Sequence, residues 1–294
     1  MSTKKADVAV IGGTGVYALE ELQVIEKLKP ETEWGYPSDE ITIVSYPHEK
    51  KNLKIAFLPR HGKGHRIPPT TIPQKANMAA LKQLGVDEII AFSAVGSLQE
   101  HIAPGHFAIP AQIIDRTRFR EDTYFNGGIV AHVSFGDPFS IELAEMIEPA
   151  LKELNLEFHK AVTLICMEGP QFSTRAESRL YRSWGADIIN MSVLPEAKLA
   201  RELEMCYQMI CMSTDYDSWR ETSEAVNADE IMQVVKKNSQ NAQKLLRAIL
   251  PHWAKVHPLS SPIKEAMKFG IITGPDAQPE AEKKKLHSVL PQYF

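Results

Sequence analysis

Two aspartates one residue apart, Asp215 and Asp217, stand in the run Ser213-Thr214-Asp215-Tyr216-Asp217-Ser218-Trp219, after an apolar stretch over 207–212. In extended backbone, alternate side chains share a face, so both carboxylates point the same way. At a strand's carboxyl end such a pair suits a proton donor and an orienting partner. An isolated Asp-x-Asp is more often a solvated turn. Arg60 and His61 follow another apolar run, in Pro59-Arg60-His61-Gly62-Lys63-Gly64-His65. A guanidinium forks onto two oxygens of an oxyanion. His61 and His65 would share a helix face as zinc ligands, but the glycines between them argue against a helix. Gly12-Gly13-Thr14-Gly15 ends the first apolar run, where backbone N–H groups converge on an anion and Thr14 adds a hydroxyl. Ser93-Ala94-Val95-Gly96-Ser97 closes a third run with further hydroxyl and backbone donors. Each segment alone reads as a turn of small residues. Three strand ends offering anion donors together point to phosphate.

Rival chemistries fit less well. Residues 13–18 match the loose dinucleotide pattern G-x-G-x-x-A, which needs a compact βαβ unit and an acid about 20 residues on. The region after the glycines instead holds Pro30 and Trp34-Gly35-Tyr36-Pro37, with no further apolar strand until Ile41. Arg-His-Gly after a strand also resembles histidine phosphatases, but the late His with an acidic neighbour is missing, since no His-Asp occurs. A further segment, 167–177, reads as a tight turn entering a helix. Ser173 or Thr174 caps it, and Glu177 is the capping-box partner of Thr174. Phe172 is either core or a stacking surface for a flat ligand.

The elements that position these residues alternate along the chain. Apolar runs at 7–11, 41–46, 53–58, 88–93, 106–109, 162–166, 187–190 and 207–212 read as strands, several apolar on both faces. Helical patterns fall at 74–84, 141–154, 174–184 and 195–204. The expected fold is α/β, a single domain with a central mixed β-sheet flanked by helices. A last long helix has Asn227 as N-cap and Glu230 as its partner, an apolar stripe from Ile231 to Ile249, and Pro251 as its stop. The domain is expected over 1–256. Residues 257–294 form a C-terminal helix and polar tail, partly covering the active site or mobile, with 274–285 the mobile part.

At 294 residues, the chain is long enough for a core covered on both sides. A net charge of −4 gives no general attraction for nucleic acid or an anionic membrane, so neither is an expected partner. There is no secretory-type apolar core near the start and no stretch of transmembrane length. Cys166, Cys206 and Cys211 lack metal or disulfide-framework spacing and read as buried thiols. The expected location is cytoplasmic, and nuclear as well in a eukaryote.

Taken in order, Glu168-Gly169-Pro170-Gln171-Phe172-Ser173, Asn190-Met191-Ser192 and Thr214-Asp215-Tyr216-Asp217 are similar to the methylthioadenosine phosphorylase family of the trimeric purine nucleoside phosphorylase superfamily. The resemblance spans about 7–250, with a fainter echo at 266–272. It implies a homotrimer and a pentosyl transfer: phosphorolysis of S-methyl-5′-thioadenosine to adenine and 5-methylthioribose 1-phosphate. Phosphate is then a co-substrate, with no cofactor and no metal. Carried over by position, Thr14, Arg60, His61, Ser93, Ala94 and Ser192 match the phosphate site, and Met191 the ribose contact. Asp215 and Asp217 match the catalytic pair at adenine N7 and the 6-amino group, and Phe172 the wall beside the base. Ser173 and Ala228 match positions tied to substrate preference. His132 matches a residue reaching the 5′ end from a neighbouring subunit, and Ile272 an apolar tail residue over that end. Ser93 and Ser192 stand where Thr is common, and Pro73-Gln74 replaces an Asn-Tyr. An acid at 215 implies a 6-aminopurine, because protonating N7 calls for a donor whose pKa is raised from about 3.9.

Overall fold

The computed structural model describes residues 4–13, 22–49, 51–220 and 228–294. Its strands are β1 (Val8–Gly12), β2 (Gln23–Leu28), β3 (Ile41–His48), β4 (Lys51–Pro59), β5 (Glu88–Ser97), β6 (Phe107–Arg116), β7 (Phe158–Met167), β8 (Ile188–Asn190) and β9 (Cys206–Tyr216). They form one mixed sheet in the order β2-β3-β4-β1-β5-β8-β7-β6-β9, and β9 also pairs with β5. The second half of the sheet therefore closes into a ring. The helices are α1 (Gln74–Gln83), α2 (Ile141–Glu153), α3 (Arg175–Ser183), α4 (Glu196–Glu202), α5 (Ala228–Val256) and α6 (Glu280–His287).

The period of two in β1 shows why the layers form. Ala9 and Ile11 join one core with residues of α1 and α4, while Val8 and Val10 join the other with residues of α2 and α5. A strand apolar on both faces requires cover on both sides, and the helices supply it. Thr174 caps α3, and its reciprocal hydrogen bonds with Glu177 form the expected capping box.

Several elements depart from the sequence reading. Strand β2 carries mostly exposed side chains, so no apolar face announces it; antiparallel pairing with β3 makes it a strand. Strands β5 and β9 outrun their apolar stretches to Ser97 and Tyr216, because parallel pairing continues along both. Pro251 does not stop the last helix, which runs on to Val256. A proline inside a helix costs about 3 kcal/mol. Burying the Trp253 indole contributes on the order of 5 kcal/mol and offsets that cost. The expected N-cap, Asn227, lies outside the described residues.

Residues 274–285 also differ from the expected mobile stretch. They form a 3₁₀ turn and most of α6, docked by Leu286, Val289 and Leu290, which are buried in the α1/α4 core. Tyr293 Oη and Gln292 Nε2 both donate to the buried Glu204 carboxylate, at 2.7 and 2.8 Å.

Glu88 on β5 fastens the end of α5. Its carboxylate accepts Trp253 Nε1 at 2.7 Å and Leu259 N at 2.7 Å, with His257 Nδ1 at 3.0 Å. Burial alone would raise its pKa, but the bonds from His257, Leu259 and Trp253 outweigh that and hold it below the usual value. Because the folded-state pKa is lowered, this contribution is present at neutral pH and fades as pH falls through the carboxylate range. Glu88→Ala is expected to cost about 3 kcal/mol at pH 7 and lower Tm by roughly 5–10 °C, with a smaller gap to wild type at acid pH. Thermal melts across pH check this, and a gap that widens on acidification would contradict it.

Candidate active site

The two aspartates meet over one glycine. Gly96 of β5 lies opposite Asp215 of β9, just past a register shift between the strands. A Cβ added at Gly96 would fall 3.4 Å from Asp217 Cβ, 3.6 Å from Asp215 Oδ2 and 3.2 Å from Ile189 Cγ2. Both acids thus pack in ordinary contact with the strand at Gly96, and a side chain there would press hardest on Ile189. The Asp217 amide donates to Ser97 O at 2.9 Å and holds the pair against β5 after β9 has ended.

Their environments differ. Burial raises the Asp215 pKa and the Asp217 charge adds to it, against a hydrogen bond from Thr214 Oγ1 at 2.7 Å. Asp217 is 6% exposed, and its buried Oδ2 has no hydrogen-bond partner among the described residues. A buried acceptor left unpaired costs about 1–3 kcal/mol, more when charged, so such atoms concentrate where a ligand supplies the donor. Ser218 Oγ donates to Ser173 O at 2.8 Å, which brings the buried Ser173 beside this pair. Phe172 next to it projects outward, 79% exposed in the single chain.

Hydroxyl and guanidinium groups gather earlier along β5. Ser93 Oγ lies 3.1 Å from Ser192 Oγ and accepts from Asn190 Nδ2 at 3.2 Å. Ala94 is exposed in the middle of a buried run of β5, so the strand opens to solvent there. Arg60 follows β4; its backbone N–H donates to Gly12 O, and its Nη1 donates to Phe92 O at 3.1 Å. Phe92 and Gly96 are four residues apart on one strand, about 13 Å at the usual rise. The Arg60 contact and the two carboxylates therefore meet β5 at points four residues apart.

His61 donates through Nδ1 to Ile67 O at 2.8 Å and stacks on His65. Burial first, then the charge of Arg60, lowers its pKa to about 4. The ring is neutral at pH 7, with its Nε2 left as an acceptor. Thr14 lies outside the described residues. Ala228 opens α5, and its side chain also lies outside them.

The loop around Met191 is set by a residue that the sequence reading did not single out. Arg120 is nearly fully buried: Nη1 donates to Met191 O at 2.7 Å and Leu194 O at 2.5 Å, and Nη2 to Glu168 O at 2.6 Å. Its Nε reaches Glu168 Oε1 at 3.1 Å. Burial alone would raise the Glu168 pKa, but Thr70, the Arg118 amide and Arg120 outweigh that and pull it down to about 2. Gly169 has φ +70°, and a Cβ there would strike Met191 Sδ at 2.4 Å. No sequence signal marks Arg120, which sits in a charged run between polar residues.

His132 is held by its backbone, whose N–H donates to Gly270 O at 2.8 Å, and its side chain is exposed. The antiparallel bridge between Ala131 and Ile271 sets His132 opposite Gly270 and Ile272, 60% exposed, opposite Val130, with Phe269, 88% exposed, next to Gly270 in the chain. A cavity of about 450 Å³ borders the Arg120–Glu168 cluster, lined by Trp34, Thr70, Gln74, Phe119, Arg120 and Lys285 among others. Neither Asp215, Asp217, Arg60, Ser93 nor Ser192 lines it.

Residues 7–251 match the family model of the Phosphorylase superfamily, which defines the class of protein. An S-methyl-5′-thioadenosine phosphorylase of Coprinopsis cinerea is 47% identical, covering 100% of this chain and 99% of its own. One from Emericella nidulans is 48% identical, covering 98% and 83%. Among solved structures, a methylthioadenosine phosphorylase from an antarctic soil metagenomic library has a TM-score of 0.92 at 41% identity, covering 98% of this chain and 100% of its own. The methylthioadenosine phosphorylase of Schistosoma mansoni in complex with adenine has a TM-score of 0.78 at 28% identity, covering 97% and 99%. The chain belongs to the phosphorylase superfamily and, within it, to the S-methyl-5′-thioadenosine phosphorylases.

Proposed function

We propose that this chain catalyses phosphorolysis of S-methyl-5′-thioadenosine to adenine and 5-methylthioribose 1-phosphate, with inorganic phosphate as co-substrate and no metal or organic cofactor. The relatives' shared activity supports the reaction. The observation that carries the reading here is the buried Asp217 Oδ2, without a partner among the described residues, beside an Asp215 whose pKa is raised. Asp217 accepts from the 6-amino group, and Asp215 gives its proton to N7 as the C1′–N9 bond breaks. The sugar takes on cationic character, and a phosphate oxygen closes onto C1′. The proton lost from Asp215 returns from solvent after adenine leaves.

In this reading Arg60, Ser93, Ala94, Ser192 and Thr14 donate to phosphate, His61 Nε2 accepts from the proton-bearing oxygen of hydrogen phosphate, and Met191 meets the ribose. Phe172 walls the base, and Ser173 and Ala228 tune preference. His132 and Ile272 belong to a face that serves a neighbouring copy in a homotrimer, which the exposed Phe269 and Ile272 support. Among the described residues no helix is long and apolar enough to cross a membrane, and the location we propose is cytoplasmic.

The direct test is to incubate the protein with S-methyl-5′-thioadenosine, with and without phosphate, and identify the base and sugar released. Adenine released only with phosphate is the expected result; adenine released equally without phosphate would end the proposal. A pH profile adds a sign. The acid must be protonated, so kcat/KM holds at lower pH and falls as pH rises through the Asp215 pKa. Asp217→Asn removes a charge that raises this pKa, so its alkaline limb moves to lower pH. A limb moving to higher pH would contradict the assignment.

A further inference from the structure

Arg60 does not stand alone in the wall of the site. Its side chain is 2% exposed and that of Glu196 is 1% exposed, and the two meet side-on. Nε donates to Glu196 Oε2 and Nη2 to Oε1, both at 2.7 Å. Tyr207 Oη donates to the same Oε1 at 2.6 Å from β9. Burial first, then the Glu196 charge, raises the Tyr207 pKa well above its ordinary value, so it remains a donor. The arrangement draws on four separate elements: Arg60 follows β4, Glu196 opens α4, Tyr207 lies in β9, and Phe92 O in β5 takes Nη1.

A buried ion pair contributes little to stability, because desolvation cancels most of the attraction. Its geometry, however, is tightly defined, since a bidentate fork tolerates little rotation. We infer that Glu196 and Tyr207 are positioning residues for phosphate: they lock the Arg60 fork beside the Ser93–Ser192 hydroxyls, and Glu196 offsets its charge. This rests on the reading that Arg60 takes the phosphate. Neither residue touches substrate. The offset has a purpose in a phosphorylase, where the site must hold a dianion and then release a sugar phosphate. A bare buried guanidinium would retain both.

The inference separates the two substrates. Glu196→Asp keeps the charge but draws the carboxylate back by one methylene, and a displacement of about 1 Å can cost about 100-fold in rate. The expected result is a loss of about 10–100-fold in kcat/KM for phosphate, with KM for S-methyl-5′-thioadenosine within about threefold. Tyr207→Phe leaves the ion pair intact and removes one hydrogen bond, so it should show the same selectivity at about 3–10-fold. Circular dichroism confirms that each variant is folded. Calorimetric titration with inorganic phosphate measures the same effect without turnover. Weaker phosphate binding by folded Tyr207→Phe carries the inference even if Glu196→Asp does not fold. Equal losses for both substrates, or unchanged phosphate parameters in folded variants, overturn it. Wild-type protein that binds phosphate but fails to release adenine would sink the proposed reaction while leaving the positioning role standing. Wild-type protein that binds no phosphate overturns both.

Discussion

Asp215→Asn should lose about 10³–10⁴-fold in turnover of S-methyl-5′-thioadenosine, while turnover of the corresponding 6-oxo nucleoside falls by no more than about tenfold. The asymmetry follows from the chemistry of the leaving base. Adenine carries negative charge as the glycosidic bond breaks, and N7 is where a proton relieves it. A carboxylic acid can transfer that proton; an amide can only share a hydrogen bond. The acid is available because burial, helped by the Asp217 charge, raises its pKa. A 6-oxopurine spreads its charge onto the carbonyl oxygen and accepts an amide donor at N7 without full transfer. Steady-state kinetics with both nucleosides at saturating phosphate decides the point. Equal losses on the two would remove Asp215 from the role of acid and leave it as a binding group.

Arg120→Met should cause the second large effect, although Arg120 has no assigned contact with substrate. Its guanidinium bonds the carbonyls of Met191, Leu194 and Glu168 and the Glu168 carboxylate. Methionine approximates the stem but leaves those oxygens without their donors, and Glu168 without its buried counter-charge. Breaking a buried pair in this way costs about 3–5 kcal/mol. The Met191 loop then loses its anchor, so KM for the nucleoside is expected to rise by about 10–100-fold, well beyond any change in KM for phosphate. That pattern is opposite to the one expected for Glu196→Asp, and the two variants together test whether the nucleoside and phosphate halves of the site have separate supports. A folded Arg120→Met enzyme with an unchanged nucleoside KM would show that Met191 is held by other contacts.

How much of this was legible beforehand depended on the range of the interaction. The Asp215–Asp217 spacing is a strand-period signal, and β9 with the residue that follows it brings both acids together over Gly96. The Thr174–Glu177 capping box spans three residues and is equally local. Arg60 was visible as an arginine after a strand, but its Glu196 partner lies 136 residues away, and no local pattern connects them. Asn190 was legible only as part of a motif, and its role beside Ser93 depends on a contact across 97 residues. Pro251 misled because a local penalty was outweighed by the burial of Trp253 and its bond to Glu88.

The sequence by itself determined the α/β layering, the strand ends that carry chemistry, and the identity of the paired acids. These follow from periodicity and turn chemistry, which operate over a few residues. Tertiary structure alone decided which charge faces which: Glu196 on Arg60, Glu168 on Arg120, and, among the described residues, nothing on Asp217 Oδ2. Pairings of that kind are fixed by the closure of a sheet whose neighbouring strands are far apart in the chain, and by burial that makes an unmatched charge costly.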